Sequence, residues 1–443
     1  MFGESIVRGN VDGGMFWPFK ESYYAAEALV GGFAKLAGRR VLVMGPRTHA
    51  GLRSLASIIK ARELLRVAHR TETHQILIFG KKWQQISNMT ESAQIQPRID
   101  LMNALRKKTG VRVHMITHPD GLRCFDVNST ADIVIYISDK KASHTESLFA
   151  EKNAQFIVGS FHEAFDLAHR LIAMIDPLAV PAAFTPPASP AAIPPDPAEP
   201  YDIVDSVIEK TFDAGSFIEF YRDMNNPITG PTLITGLGTL AGRTVGIIAD
   251  QPLLKGGGAD AFGTEKFRVF TELLNRNRLP LIMLSNSSGF VPGSQQERHR
   301  IQAIGAESLD SNITGTIPVV SVVLNQNYGG RLIHAYNKFL RPGIVYLALE
   351  QSIMAVIGVD AAFDLLYGRK YARLIEKGET GRAEDLRTRF AETYLDKARA
   401  SNDGIESSLV DWTVPSAAEL RDHLVRGLDL AIRRCAEAFG GKL

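Results

Sequence analysis

The sequence predicts an α/β protein made of two related halves, and three observations lead there. Short apolar runs of strand length alternate with amphipathic helical stretches. The runs recur in the same order at an offset of roughly two hundred residues. Between the two sets lie residues 176–200, rich in proline and alanine and without periodicity, a composition suited to a linker. The expected plan is a segment over 1–37, a domain over 38–175, the linker 176–200, and a second domain over 201–443.

Residues 1–30 carry no regular pattern, although Gly13-Gly14-Met15-Phe16-Trp17-Pro18-Phe19 includes an apolar segment. From Gly38 the reading is regular. Residues 40–44 predict a strand, 52–67 a helix, 75–79 a strand and 99–108 a helix. Strands follow at 111–116, 133–137 and 156–158, and then a helix at 161–175. The second half repeats these runs. Gly38-Arg39-Arg40-Val41-Leu42-Val43 parallels Gly242-Arg243-Thr244-Val245-Gly246-Ile247, and Ile76-Leu77-Ile78 parallels Leu281-Ile282-Met283. Gly110-Val111-Arg112-Val113 parallels Thr316-Ile317-Pro318-Val319, and Ile133-Val134-Ile135-Tyr136 parallels Ile344-Val345-Tyr346. The fifth predicted pair is Phe156-Ile157-Val158-Gly159 with Ala355-Val356-Ile357-Gly358. Five pairs in one order argue for a duplicated domain, and no strand opens a helix through GxGxxG, which argues against a dinucleotide-binding fold.

Composition narrows the class. At 443 residues the chain holds two domains of ordinary size, and 45% hydrophobic with 22% charged residues reads as globular. Fifty basic against 48 acidic residues leave a net charge of +2, which offers nothing to steer nucleic acid or an anionic membrane. No apolar run approaches the ~18 residues of a membrane helix, and the first residues lack a signal-peptide pattern. Only Cys124 and Cys435 are present, which excludes a disulfide framework and a four-cysteine zinc site. A reducing, cytoplasmic setting is the expectation.

The chemistry is sought at residues 281–293 and 317–331. Each begins as a buried strand and breaks into small, glycine-containing sequence, Ser287-Ser288-Gly289 in the first and Asn327-Tyr328-Gly329-Gly330-Arg331 in the second. A helix is predicted after each break. Adjacent strands ending this way present free backbone N–H groups, preorganised donors for an oxyanion or polarised carbonyl. Glycine pairs after strands also serve close backbone packing, so this pattern alone does not make a site. Other motifs are weaker. His69 with His74, and His114 with His118, have metal-compatible spacing but no acidic or cysteine partner in a recognisable pattern, so packing roles and no metal are expected. Ser287 lacks the context of a nucleophile elbow, and Gly256-Gly257-Gly258 lacks the Lys-Ser/Thr of a phosphate loop.

Over roughly residues 198–430 the chain resembles the carboxyltransferase (beta) subunits of biotin-dependent acyl-CoA carboxylases. The matching stretches, in order, are Gly242-Arg243-Thr244-Val245-Gly246-Ile247-Ile248 leading to Gln251-Pro252, residues 280–284, Gly289-Phe290-Val291-Pro292-Gly293, Gln296-Glu297, Tyr328-Gly329-Gly330 and Ala355-Val356-Ile357-Gly358. The resemblance implies two duplicated crotonase/ClpP-like spiral domains. In that family each domain supplies one oxyanion hole, the C-terminal one for carboxybiotin and the N-terminal one for an acyl-CoA carbonyl, facing each other across a dimer, the N-domain of one subunit on the C-domain of the next. By that likeness the Gly330 and Arg331 N–H groups would hold the biotin carbonyl, Gly329 would permit the turn, and Gly289, Phe290 and Tyr328 would wall the site.

The departures matter as much. Asn286 and Ser288 stand where the family has an acidic residue and a proline, and Arg331 replaces an alanine, keeping the backbone donor but adding a cation. The N-terminal half diverges further. Phe79-Gly80-Lys81-Lys82-Trp83-Gln84 and Asp120-Gly121-Leu122-Arg123 replace the family's glycine clusters, so this half is expected to keep its fold and lose its acyl-CoA hole. Lys81, Lys82 and Arg123 read as a solvated basic face. The chain has no Met-Lys-Met biotinylation site, so biotin would arrive on another chain, a biotin carboxyl carrier or biotin carboxylase subunit. The leading expectation is a carboxyltransferase working with such a partner, and with a second carboxyltransferase-like chain for the acyl thioester, in a homo- or hetero-oligomer. The alternatives are a non-catalytic structural or regulatory paralogue and an acyl-thioester decarboxylase.

Overall fold

The computed structural model describes residues 2–19, 29–47, 55–80, 95–107, 110–118, 130–138, 154–176, 184–196, 199–221, 231–405 and 408–440. It divides the chain into two units, Met1–Val180 and Pro181–Leu443.

In the first unit, β1 (Phe16–Pro18), β2 (Leu29–Leu36), β3 (Arg39–Pro46), β4 (His74–Phe79), β5 (Arg112–Ile116), β6 (Ile133–Ile137) and β7 (Phe156–Val158) lie side by side in chain order. The first three are antiparallel and the rest join in parallel. Helices α1 (Leu55–Arg70), α2 (Ile95–Arg106) and α3 (Phe161–Ile175) accompany the parallel strands, as βαβ connections require. Residues 1–37 therefore supply two strands of this sheet and are not a segment outside it. Gly31-Gly32 hides β2 from a propensity reading. The glycines are there because a Cβ on Gly32 would meet the Trp17 carbonyl of β1 at 2.3 Å, and one on Gly31 a Leu64 methyl of α1 at 2.4 Å.

The second unit repeats the plan with β8 (Ile218–Phe220), β9 (Leu233–Leu240), β10 (Arg243–Asp250), β11 (Leu281–Ser287), β12 (Val319–Tyr328) and β13 (Ile344–Leu349) in one sheet. The short strand β14 (Ile353–Ala355) pairs with β12, and β15 (Trp412–Val414) closes the edge beside β13. Helices α4 (Ala261–Asn277) and α5 (Ile301–Thr314) follow β10 and β11. The one-turn α6 (Arg331–His334) follows β12. The long pair α7 (Val359–Glu376) and α8 (Thr380–Ala398) follows β14, and α9 (Leu420–Phe439) ends the unit. One core forms as Leu420, Leu424, Leu428 and Ala431 of α9 join the same cluster as Val320, Val322 and Leu347 of the sheet. Ala191 belongs to that cluster and Asn325 donates to the Pro194 carbonyl, so this part of the Pro/Ala-rich stretch packs on the second unit.

Three details repeat across the units. Both antiparallel hairpins turn on the same four residues, Leu36-Ala37-Gly38-Arg39 and Leu240-Ala241-Gly242-Arg243. Positive φ at both central residues (53° and 70°; 51° and 78°) gives the two-residue turn that matches strand twist. A buried lysine of the first helix donates to the first carbonyl of the hairpin in each unit, Lys60 to Leu29 at 3.1 Å and Lys266 to Leu233 at 2.7 Å. The edge strands end just before a serine that opens the last helix. Ser160 accepts from the Glu163 N–H, and the Ser416 hydroxyl meets Glu419 at 3.0 Å.

That last detail corrects one predicted equivalence. Residues 156–159 do not correspond to 355–358, because β14 pairs with β12 rather than lying at the edge; the counterpart of β7 is β15. The intervening α7–α8 pair displaced the true match by more than fifty residues, beyond the reach of a constant offset. A smaller shift occurs at β11, where Val43↔Ile76 corresponds to Ile247↔Ile282, one residue past the predicted pairing.

The Ser160–Glu163 cap gives a direct stability test. Ser160→Ala is expected to cost about 1 kcal/mol, read as a lower urea midpoint with an unchanged slope.

Candidate functional site

The two glycine breaks lie at the same edge of the second sheet. β11 and β12 run parallel, with Ser287 opposite Asn327, and β14 lies against the end of β12 with Tyr328 opposite Ala355. Gly289 (φ 108°) and Gly329 (φ 60°) adopt backbone conformations closed to most side chains, which sends each loop sharply off its strand. A Cβ on Gly289 would lie 3.5 Å from the Tyr328 carbonyl, so the loops touch. Below, the turn at Lys255–Gly257 props the first loop: Ser288 donates to the Gly256 carbonyl, and Ala259 and Gly289 share a bond at 2.9 Å. Gly257 (φ 73°) admits only glycine, since a Cβ there would meet the Asn286 carbonyl oxygen at 1.9 Å.

The structure thus brings Gly289, Phe290, Tyr328, Gly329, Gly330 and Arg331 to one place. The Gly329 N–H bonds the Ala355 carbonyl at 3.0 Å, and the next two N–H groups, of Gly330 and Arg331, find no acceptor among the described residues. They open α6, where unsatisfied donors are expected. Gly330 is exposed, and a Cβ on it would touch the Phe290 ring edge at an ordinary 3.5 Å. Burial, with Tyr394 second, pushes the Tyr328 hydroxyl up to about 12, so near neutrality it is an un-ionised hydrogen-bonding group.

The Arg331 side chain is not at this surface. It runs inward and is 1% exposed, one terminal nitrogen 2.6 Å from Asp250 Oδ1 and the other 2.5 Å from His334 Nδ1. Its guanidinium lies 5.2 Å from the Phe267 ring centre. Asp250, the last residue of β10, turns its other oxygen to the Ser285 hydroxyl and the Asn286 N–H, both at 3.1 Å. Every neighbour of the carboxylate is a donor, which suits the ionised form, while burial pushes its pKa up against the pull of Arg331. Asn286 in turn donates to the Tyr201 hydroxyl at 2.9 Å. His334 Nε2 meets the Ser308 hydroxyl at 2.9 Å. With Arg331 donating to Nδ1, the imidazole is neutral with its proton on Nε2. Burial, with the Arg331 cation second, holds it well below the usual imidazole range. Tyr336 completes the support. Its left-handed φ of 61° is held by a hydroxyl bond to Thr271 at 3.1 Å and by stacking on Phe267.

Asp250, His334, Ser308 and Tyr201 were not singled out from the sequence. The only signal for Asp250 is its place at the end of the strand before Gln251-Pro252. Of the four histidines singled out from the sequence, His74 and His114 lie on strands of the first sheet, and His74 also faces an acidic partner, Asp176, at 3.5 Å. His74 accepts from the Val111 N–H, and buried His114 lies against Phe79 with ring centres 4.8 Å apart. No group of three or more metal-binding side chains occurs among the described residues. Lys81, Lys82, Trp83, Gln84, Asp120, Gly121, Leu122 and Arg123 lie outside them.

Residues 160–439, more than half of the sequence, match the carboxyl transferase domain family. The chain belongs to that family. It is 32% identical over 238 residues to the propionyl-CoA carboxylase beta chain of Saccharopolyspora erythraea, an alignment covering 54% of this chain and 42% of that protein. Against the methylmalonyl-CoA carboxyltransferase 12S subunit of Propionibacterium freudenreichii subsp. shermanii it is 31% identical over 216 residues, 48% of this chain and 40% of the relative. The chain thus spans less than half the length of these curated relatives. In fold the likeness extends further. The transcarboxylase 12S crystal structure with methylmalonyl-CoA bound superposes with a TM-score of 0.80 at 20% identity, covering 97% of this chain and 89% of that one. Both units therefore share the α/β fold of that structure.

The buried imidazoles make stability depend on pH. His334 and His114 are neutral in the folded protein, whereas the unfolded chain protonates them near 6.5. The unfolded state binds more protons below that point, so stability is full above pH ~6.5 and falls as pH drops, by up to about 1.4 kcal/mol per pH unit for each histidine. Urea unfolding at pH 7, 6 and 5 should show this slope, and His334→Gln should reduce it by about one proton.

Proposed function

We propose that this chain is a carboxyltransferase subunit. In this reading it moves a carboxyl group from carboxybiotin, delivered on a separate carrier chain, to an acyl thioester such as an acyl-CoA. The observation that carries the reading is the pair of N–H groups on Gly330 and Arg331 that find no acceptor among the described residues, at an exposed glycine beside Phe290 in a chain of the carboxyl transferase family. A ureido carbonyl fits this place: the donors are backbone, the turn carries no side chain at Gly330, and the Phe290 edge offers an apolar wall. When bound, carboxybiotin supplies the carboxyl group and a basic nitrogen.

The chain's own part is positioning and charge stabilisation. The two N–H groups donate to the carbonyl oxygen, orient it against the sheet edge and stabilise the negative charge that grows on it. Tyr328 and Phe290 restrict water at the same face. Neither the buried neutral His334 nor the Arg331 guanidinium reaches the exposed side of the turn, so proton transfer is left to the bound reactants. The biotin carrier, a biotin carboxylase and a second carboxyltransferase-like chain are the partners this reading requires. Several of the curated relatives are named as carboxylase beta chains or subunits, which supports a multi-subunit setting.

Gly330→Val tests it. The contact at 3.5 Å from Phe290 leaves room for a larger side chain at the surface, so folding is retained while a carbonyl is barred from the donors. Transfer from free carboxybiotin to propionyl-CoA should fall by roughly 10²–10³ at unchanged unfolding midpoint. Full activity in Gly330→Val would sink the assignment. A wild-type chain silent even with its co-purifying partners would favour the non-catalytic reading.

A further inference from the structure

One carboxylate touches both walls of the site from behind. Asp250 Oδ2 receives the Asn286 N–H and the Ser285 hydroxyl, on the strand that leads into the Gly289–Phe290 loop. Its Oδ1 receives Arg331, the residue that opens α6 and carries one of the two free N–H groups. Arg331 is further fixed by His334, at the other end of the same helical turn, and His334 by Ser308 of α5. The chain of contacts is therefore continuous from β10, through a buried ion pair, to the single turn that aims the donors. Asp250, Asn286 and Arg331 are all buried and none of their side chains reaches the exposed face. The Arg331 Nε has no partner among the described residues, so the ends of the guanidinium, and not its stem, hold it in place.

We propose that Asp250 is a positioning residue for carboxyl transfer, tying the Phe290 loop to the Gly330–Arg331 donors through Asn286 and the Arg331 guanidinium. The inference rests on the carboxyl-transfer reading and adds to it a residue that touches no reactant. Backbone donors accelerate a reaction only when they are already aimed, and a small displacement costs far more rate than binding. Loss of the tie therefore lowers kcat and leaves KM for the carboxyl donor nearly unchanged.

Two variants separate positioning from mere stability. Asp250→Asn keeps an acceptor for Ser285 and Asn286 but leaves Arg331 buried without a counter-ion, so it should lower both the unfolding midpoint and kcat. Asp250→Asn/Arg331→Met removes the stranded charge and regains the midpoint, yet it lacks the ionic tie between the loops. Its kcat, assayed from free carboxybiotin to propionyl-CoA, should remain down by roughly 10²-fold with KM within about twofold. Wild-type kcat in the double variant overturns the proposal, whether or not Asp250→Asn itself folds. Amide hydrogen exchange provides an arm independent of activity. The N–H groups of Asn286 and of residues 332–335 should exchange roughly tenfold faster or more in the double variant, with α9 unchanged. Unchanged exchange there overturns the inference even if the wild-type chain transfers nothing, whereas faster exchange in a silent chain upholds the tie and sinks only the functional reading.

Discussion

Everything at the sheet edge depends on burying one charge successfully. A carboxylate taken out of water is costly unless donors replace the lost hydration. Asp250 receives a guanidinium, a hydroxyl and a backbone N–H. Those donors come from β11 and from the start of α6, so satisfying the charge also fixes where two loops leave the sheet. The same arrangement explains why a residue as large as arginine can follow a double glycine. Its side chain is drawn into the interior, over Phe267, and the turn stays open to solvent.

Much of the fold was legible in the sequence because local rules and tertiary structure agree there. The apolar runs of β3 to β6 and of β10 to β13 are buried strands, and Leu-Ala-Gly-Arg makes the same turn twice. Legibility failed where tertiary contacts override local preference. β2 carries a glycine pair that a propensity reading treats as a break, yet those glycines let a neighbouring strand and helix approach. β15 escaped because a helical pair intervenes between it and β14. At the site, backbone turns were readable from glycine placement alone. The pairing of Asp250 with Arg331 was not, since the two are 81 positions apart and neither sits in a local motif. Arg331 looked like an added surface cation, because sequence records which side chain is present and not which way it turns.

The family match and the fold match have different reach. Sequence identity to the curated relatives covers about half of the chain, whereas the superposition with transcarboxylase 12S covers nearly all of it. The first unit has thus kept the topology while its sequence moved away. Packing accounts for that difference: a core needs apolar residues of suitable size and pattern, which many sequences supply, whereas a backbone site needs glycine at particular φ values.

The repeated lysines show how such divergence is tolerated. Lys60 and Lys266 each fasten a helix to the first carbonyl of a hairpin within its own half. Each sheet thereby has a private anchor at the edge where its parallel strands end, Leu29 lying opposite Pro46 and Leu233 opposite Asp250. Mutations that accumulate in the terminal loops of one half leave that anchor intact. A duplicated chain built this way can let the loops of either copy drift without collapse of its sheet.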